Sequence, residues 1–271
     1  PAKFGFAIDD GIARVLVGAS ADVRIERDRR GGLIVRADGA KLGCSVMRGR
    51  AASTAVALAE WFVASGGAKN GRGRMAPHIG AGAILPVALR GTAEPAAIAT
   101  AAGPGLYPQG ALIGVAFGQL SHAALNQLAG YGASLRMTPW RMILAEGMRD
   151  MPRGADLVTE ADDPAQRVIA CSGAPRCRAA YADTRALAAA LAPLVAPDAR
   201  LHVSGCAKGC AHSGPAALTL IASRDGFDLV RGGSTRDMPA LRGLSRAEIV
   251  KDPSVLLGGR GCRTFMKPTA L

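Results

Sequence analysis

The chain has 271 residues, 49% of them apolar and 20% charged, with a net charge of +12 and six cysteines. This composition excludes a largely disordered chain and supplies apolar surface for two or three compact units. No run of about 18 apolar residues is free of charges or of Gly and Pro, which excludes a transmembrane helix. The excess of Lys and Arg calls for an anionic partner. Aromatic residues are only 4% and the cations are scattered, so stacking platforms for nucleic acid are few. A small anionic ligand is the better expectation, with no nucleic acid and no membrane.

In chain order, Phe4–Ile8 and Leu33–Arg36 are short β-like runs bounded by Asp9-Asp10-Gly11, Gly31-Gly32 and Asp38-Gly39. Such runs between D-G or G-G turns predict antiparallel strands. Residues 51–65 predict a helix whose apolar face carries Val56, Ala59 and Val63 with Leu58, Trp61 and Phe62, stopped by Gly66-Gly67. Residues 67–77 are Gly- and Arg-rich and read as a loop, and 94–109 give no pattern.

Leu112–Phe117 predicts a strand. Ser121 is a natural N-cap for a helix through Tyr131 with Leu125 and Leu128 inward, and strands follow at Ala133–Met137 and Met142–Leu144. This β-α-β-β run is half of a ferredoxin-like unit. Arg167–Ala170 and Leu201–Ser204 are further strands. Between them lies a helix capped by Asp183 or Thr184 that carries Leu187, Leu191 and Leu194. Ala217–Ala222 and Phe227–Arg231 form a hairpin around Arg224-Asp225-Gly226, and Ser245-x-x-Glu248 is a capping box. The whole is α+β.

Each of the two strands before the hairpin leads into a cysteine pair. Cys171-Ser-Gly-Ala-Pro-Arg-Cys177 is C-x5-C, and Gly205-Cys206-Ala-Lys-Gly-Cys210 is C-x3-C. Two close pairs on separate loops can converge on one soft-metal site, and four thiolates are what a [4Fe-4S] cluster needs. Ser172-Gly173 and Pro175 break regular structure, and Gly205 and Gly209 permit close backbone approach. A four-cysteine zinc site usually has two-residue spacing within a pair, so x5 counts against it. In a chain of this length the spacing indicates metal ligation in a reducing compartment rather than disulfides, with cytoplasm as the default. Cys44 and Cys262 lack partners at ligand spacing and read as inert thiols. His212 follows Cys210 by two residues and reads as a surface or backbone-bonded histidine. His202 reads as a structural strand residue.

The C-x5-C…G-C-x3-C arrangement resembles the cluster signature of the sulfite/nitrite reductase superfamily of siroheme and [4Fe-4S] enzymes. Ser204-Gly-Cys-Ala-Lys-Gly-Cys-Ala-His212 is similar to one branch, the precorrin-3B synthases of aerobic cobalamin biosynthesis. Pro1-Ala-Lys-Phe-Gly5 resembles the P-R-K-F-K segment of the siroheme reductases. Leu135-Arg-Met-Thr-Pro-Trp-Arg141 resembles the strand-turn-strand of their second ferredoxin-like half.

The resemblance implies a sulfite/nitrite reductase-like fold whose first ferredoxin-like half is missing here, in keeping with the abrupt start. Residues 1–70 would be an N-terminally truncated α/β unit of the reductase-like core. Residues 71–150 would be the ferredoxin-like half and 151–258 the cluster unit, leaving 259–271 as a tail without assignment. The metal ligands would be Cys171, Cys177, Cys206 and Cys210. The branch implies oxygen-dependent hydroxylation of precorrin-3A and γ-lactone closure to precorrin-3B. It is associated with a [4Fe-4S] cluster and a non-haem iron, whose ligands no 2-His-1-carboxylate set in the sequence supplies. Electrons would come from a donor protein or an NADH-linked reductase. A polycarboxylate tetrapyrrole substrate would find cations in Lys3, Arg136, Arg141 and Lys208.

Two departures separate the chain from the siroheme reductases. Gly5 stands where they carry the second lysine of P-R-K-F-K, and Lys208 replaces an uncharged residue between their last cysteines. A siroheme-dependent sulfite or nitrite reductase subunit, with siroheme linked through Cys210, is the alternative enzyme reading. A polyanion-binding module stabilised by a metal on four cysteines is the non-enzyme one.

Overall fold

The computed structural model describes residues 3–100, 102–154 and 156–256; Cys262 and the 259–271 tail lie outside the described residues. The chain divides into two units, Pro1–Ala102 and Gly103–Leu271. The architecture is α+β. No helix among the described residues is long and apolar enough to cross a membrane.

The first unit is built on a sheet of β1 (Phe6–Asp9), β2 (Val23–Arg27), β3 (Leu33–Ala37) and β4 (Cys44–Ser45), in that spatial order. The expected all-antiparallel arrangement is corrected here. β1 runs parallel to β2, and only the β2–β3 and β3–β4 pairs are antiparallel. The 13 residues between β1 and β2 (10–22) are what lets the chain return to the same end of the sheet, which a two-residue turn cannot do.

Helix α1 (Ala51–Ala64) covers one face, burying Ala51, Ala55, Leu58 and Phe62 against Val23 and Val35. Those positions recur every three or four residues, which makes one stripe of a helix. The expected inward face is only half right: Leu58 and Phe62 are buried, but Val56 is 51% and Val63 57% exposed. Alanines at 51 and 55 allow closer approach to the sheet than the valines would. Two short helices follow, α2 (Met75–Gly80), which drops Met75 into the same core, and α3 (Val87–Arg90). The segment expected as a loop over 67–77 is therefore helical from Met75.

The other face of this sheet is charged and buried. β2 alternates Val23 and Ile25 toward α1 with Arg24 and Glu26 away from it. Arg36 Nε donates to Glu26 Oε1 at 2.6 Å and Arg24 Nε to Asp38 Oδ1 at 2.6 Å. Their remaining N–H groups bond the carbonyls of Ala40, Leu16 and Ala19. Asp22, fully buried, accepts from the Gly5 and Met75 amides. Buried charges are tolerable only with such pairing.

The second unit begins with β5 (Gly105–Tyr107), β6 (Gly110–Val115), α4 (His122–Gly130), β7 (Leu135–Met137), β8 (Met142–Glu146) and β9 (Leu157–Val158). The strands form an antiparallel sheet ordered β5-β6-β8-β7, with β9 also on β6. The Ser121 side chain caps α4 by accepting from the Ala124 amide, as expected. Leu128 is fully buried, but Leu125 is 46% exposed, and Ala124 takes the inward place beside Ile113 and Ala145.

There follow β10 (Val168–Ala170), α5 (Thr184–Leu191), β11 (Leu201–Ser204), β12 (Ala216–Ser223), β13 (Gly226–Gly233), β14 (Leu241–Leu244) and α6 (Arg246–Lys251). This sheet is ordered β10-β11-β12-β13-β14. Its first three strands are parallel, and the last two extend it antiparallel. Leu187 and Leu191 of α5 and Ile249 of α6 pack on Val168, Leu201, Val203, Leu218, Leu220 and Leu229. The Ser245–Glu248 capping box is present as expected.

Candidate metal centre

Parallel neighbours β10 and β11 pair Ala170 with Val203, so the two cysteine loops leave the sheet side by side. Cys171 is the first residue past β10; its amide donates to the Val203 carbonyl at 3.3 Å. The Gly205 amide donates to Cys171 Sγ at 3.1 Å. Cys206 therefore follows the residue whose N–H touches the sulfur of Cys171. A metal-bound sulfur accepts an N–H donor in the same way, so this contact is compatible with ligation.

The C-x5-C loop is folded on itself and tied to the other. The Cys177 amide bonds the Gly173 carbonyl at 2.8 Å, the Ala180 amide bonds the Cys177 carbonyl at 3.1 Å, and the Tyr181 amide bonds the Gly205 carbonyl at 2.9 Å. Gly173 and Gly209 both have φ of +61°, a conformation that glycine adopts at no steric cost. A Cβ on Gly205 would stand 2.7 Å from Ala180 Cβ and 3.3 Å from Cys171 Sγ. Ser204 Oγ donates to the Cys206 carbonyl at 2.7 Å and anchors the second loop at its start.

All four cysteines are free thiols; Cys171, Cys177 and Cys206 are half-buried and Cys210 is exposed. Among the described residues, no group of three or more His, Cys, Asp or Glu is gathered round one metal position. The fit of a [4Fe-4S] cluster accordingly rests on three features. They are the four-thiol donor set on two adjoining loops, the amide already aimed at one sulfur, and the glycine cradle at 205. In kind and number these donors fit the group. For a second, non-haem iron no donor set is present among the described residues.

The substrate candidates are dispersed. Lys3 is exposed and lies in the first unit, its carbonyl accepting from Arg74 Nη1. Arg136 is on edge strand β7 with its guanidinium on Glu146 at 2.6 Å, so it already has a carboxylate. Arg141, at φ +59°, donates to the Val168 carbonyl at 3.1 Å. Burial, and then Arg200, lower its pKa below the usual arginine value. Val168 is the first residue of β10, so Arg141 contacts the end of that strand opposite to Cys171, about 10 Å along the backbone. Lys208 is exposed between Cys206 and Cys210.

The Nε2–H of His212 donates to the Pro215 carbonyl at 3.2 Å, in keeping with a backbone-bonded role. His202 is fully buried, and neither ring nitrogen has a partner among the described residues. It meets His212 edge-on, ring centres 5.6 Å apart. Burial, reinforced by His212, lowers the His202 pKa to about 4.

Sequence reasoning missed two neighbours of Cys171. Thr184 Oγ1 donates to the Cys171 carbonyl at 2.8 Å and lies 3.8 Å from its sulfur. Arg185 is the second residue of α5, behind the Asp183 cap. The available signal was a cation in a helix's first turn, where the helix dipole disfavours it.

No family model matches the chain. A curated precorrin-3B synthase from Sinorhizobium sp is 30% identical over 169 residues, which is 54% of this chain and 37% of the relative. The chain thus spans little more than a third of that relative's length. Among solved structures, the Mycobacterium tuberculosis NirA protein superposes with a TM-score of 0.49 and 16% identity, covering 85% of this chain and 55% of NirA.

Proposed function

We propose that this chain is an iron–sulfur oxidoreductase of aerobic cobalamin biosynthesis. The reaction would be dioxygen-dependent hydroxylation and γ-lactone formation on precorrin-3A, giving precorrin-3B. The observation that carries the reading is the side-by-side exit of Cys171 and Gly205-Cys206 from parallel strands, with the Gly205 amide on the Cys171 sulfur. Similarity to a curated precorrin-3B synthase supports the choice of reaction, which is that of a protein much longer than this chain.

Cys171, Cys177, Cys206 and Cys210 would hold a [4Fe-4S] cluster. When bound, such a cluster supplies single electrons. The loops orient Cys171 through the Gly205 amide and carry Arg176, Arg178 and Lys208 as an exposed cationic rim. Carboxylates of a tetrapyrrole would pair with that rim and with Arg141, whose cation has no acidic partner within 4.0 Å among the described residues. Arg136 would have to exchange Glu146 for substrate. A monooxygenation places one oxygen atom in the product and releases the other as water, consuming two electrons and two protons. A donor protein or NADH-linked reductase is thus a required partner.

Incubation of the anaerobically reconstituted protein with precorrin-3A, dioxygen and a reductant tests this. A product heavier by one oxygen, labelled from heavy-isotope dioxygen, is expected. Reduction of sulfite or nitrite, together with sharp tetrapyrrole bands in the purified protein, would replace the reading with the siroheme reductase one.

A further inference from the structure

We propose that Arg185 offsets the negative charge held by the cysteine loops and raises the reduction potential of the cluster there; this rests on the four-cysteine reading above. Three features of Arg185 are unfavourable as the chain stands. It occupies the first turn of α5, immediately behind the Asp183 cap, where the helix dipole repels a cation. Its Nε is buried with no hydrogen-bond partner among the described residues, a loss that native structures rarely leave uncompensated. No carboxylate lies within 4.0 Å of its guanidinium among the described residues.

Its surroundings say what would compensate. α5 starts against Cys171: Thr184, the residue before Arg185, hydrogen-bonds the Cys171 carbonyl. Burial, and then the Arg176 cation, lower the Arg185 pKa, while Cys171 and Asp183 raise it. Two arginines and an orphaned N–H against the Cys171 loop describe a site awaiting more negative charge than the one carboxylate of Asp183 supplies. A cluster with four thiolates is anionic, and gains one further negative charge on reduction. A cation beside it stabilises the reduced form more than the oxidised one, and so raises the potential.

The test compares wild-type protein with Arg185→Gln, Arg185→Met and Arg185→Lys, each reconstituted anaerobically with iron and sulfide. Iron content, sulfide content and midpoint potential are measured. The neutral variants are expected to shift the reduction equilibrium at least tenfold toward the oxidised cluster, about 59 mV downward for one electron. Arg185→Lys should keep most of the wild-type potential. A fully loaded neutral variant with unchanged potential overturns the inference while leaving the cluster assignment intact. Neutral variants that fail to load, beside a lysine variant that loads at wild-type potential, support it. Failure of the lysine variant to load as well assigns Arg185 to packing and overturns it. Wild-type protein that binds no iron and sulfide removes the four-cysteine reading and this inference with it.

Discussion

The backbone amide of Gly205 donates to the sulfur of Cys171 across the seam between two parallel strands, 3.1 Å away. Those residues are 34 apart in sequence, and the contact exists because β10 and β11 are paired in register at Ala170 and Val203. The sheet therefore fixes the relation between the two cysteine loops before any metal binds. This is how rigid scaffolds commonly present ligand loops.

Replacing the sulfur donors separates ligands from bystanders. Cys171→Ser and Cys206→Ser are expected to abolish cluster loading and to destabilise the second unit. Cys44→Ser, in the first unit with its Sγ 3.5 Å from the Ala88 carbonyl, should do neither. Iron and sulfide analysis of the three variants checks this. Full loading in Cys206→Ser would contradict the ligand assignment.

Gly205→Ala tests the cradle. The added methyl would sit 2.7 Å from Ala180 Cβ, closer than carbon atoms approach, so one loop must move. Overpacking of this kind costs about 1–3 kcal/mol. The urea midpoint should fall and cluster loading with it. A wild-type midpoint and full loading would mean that the two loops are not held in the register described.

The ion pair behind the first sheet makes a separate prediction. Glu26 is 2% exposed and holds the Arg36 guanidinium at 2.6 Å, with Arg14 at 3.9 Å. Glu26→Gln leaves buried positive charge uncompensated, at a cost of about 3 kcal/mol. Denaturant unfolding of the variant measures this. A change under 0.5 kcal/mol, the size of an ordinary surface substitution, would show that the network contributes little.

How much of this was legible in the sequence differs by residue. The cysteine loops were readable because each pair is local in the chain and each follows a short apolar strand. The Asp183, Ser121 and Ser245 caps were readable for the same reason, since capping is decided within four residues. α1 was readable as a helix but not in orientation. Its sequence is apolar almost all round, so periodicity alone could not choose between Val56 and Ala55 as the inward position. β2 was missed because Val23-Arg-Ile-Glu-Arg27 places charges where strands usually turn to solvent. Here the loop over 10–20 pairs those charges: the Leu16 and Ala19 carbonyls accept from Arg24, the Asp10 carbonyl accepts from Arg27, and Arg14 stands beside Glu26. For Arg185 the sequence offered only a cation in a helix's first turn; its meaning lies in an unpartnered nitrogen and in a cysteine 14 positions earlier, and both are tertiary facts.

His202 gives a pH signature. Its folded pKa is lowered to about 4 from an ordinary 6.5, chiefly by burial, so the fold prefers the neutral ring. That preference contributes its full stability above pH 6.5. As pH falls from 6.5 toward 4 the unfolded chain binds a proton that the folded one refuses, and about 3 kcal/mol is lost. His202→Phe keeps an aromatic ring against His212 and removes the titration. The stability gap between wild type and His202→Phe should shift by that amount between pH 7 and pH 4. Parallel profiles would contradict it.

The measurement that bears most directly on the central claim is iron, acid-labile sulfide and zinc content, with a visible spectrum, on anaerobically purified protein. The account predicts about four iron and four sulfide per chain and a broad shoulder near 400 nm without sharp tetrapyrrole bands. Zinc without sulfide would contradict it and leave the four cysteines as a structural metal site.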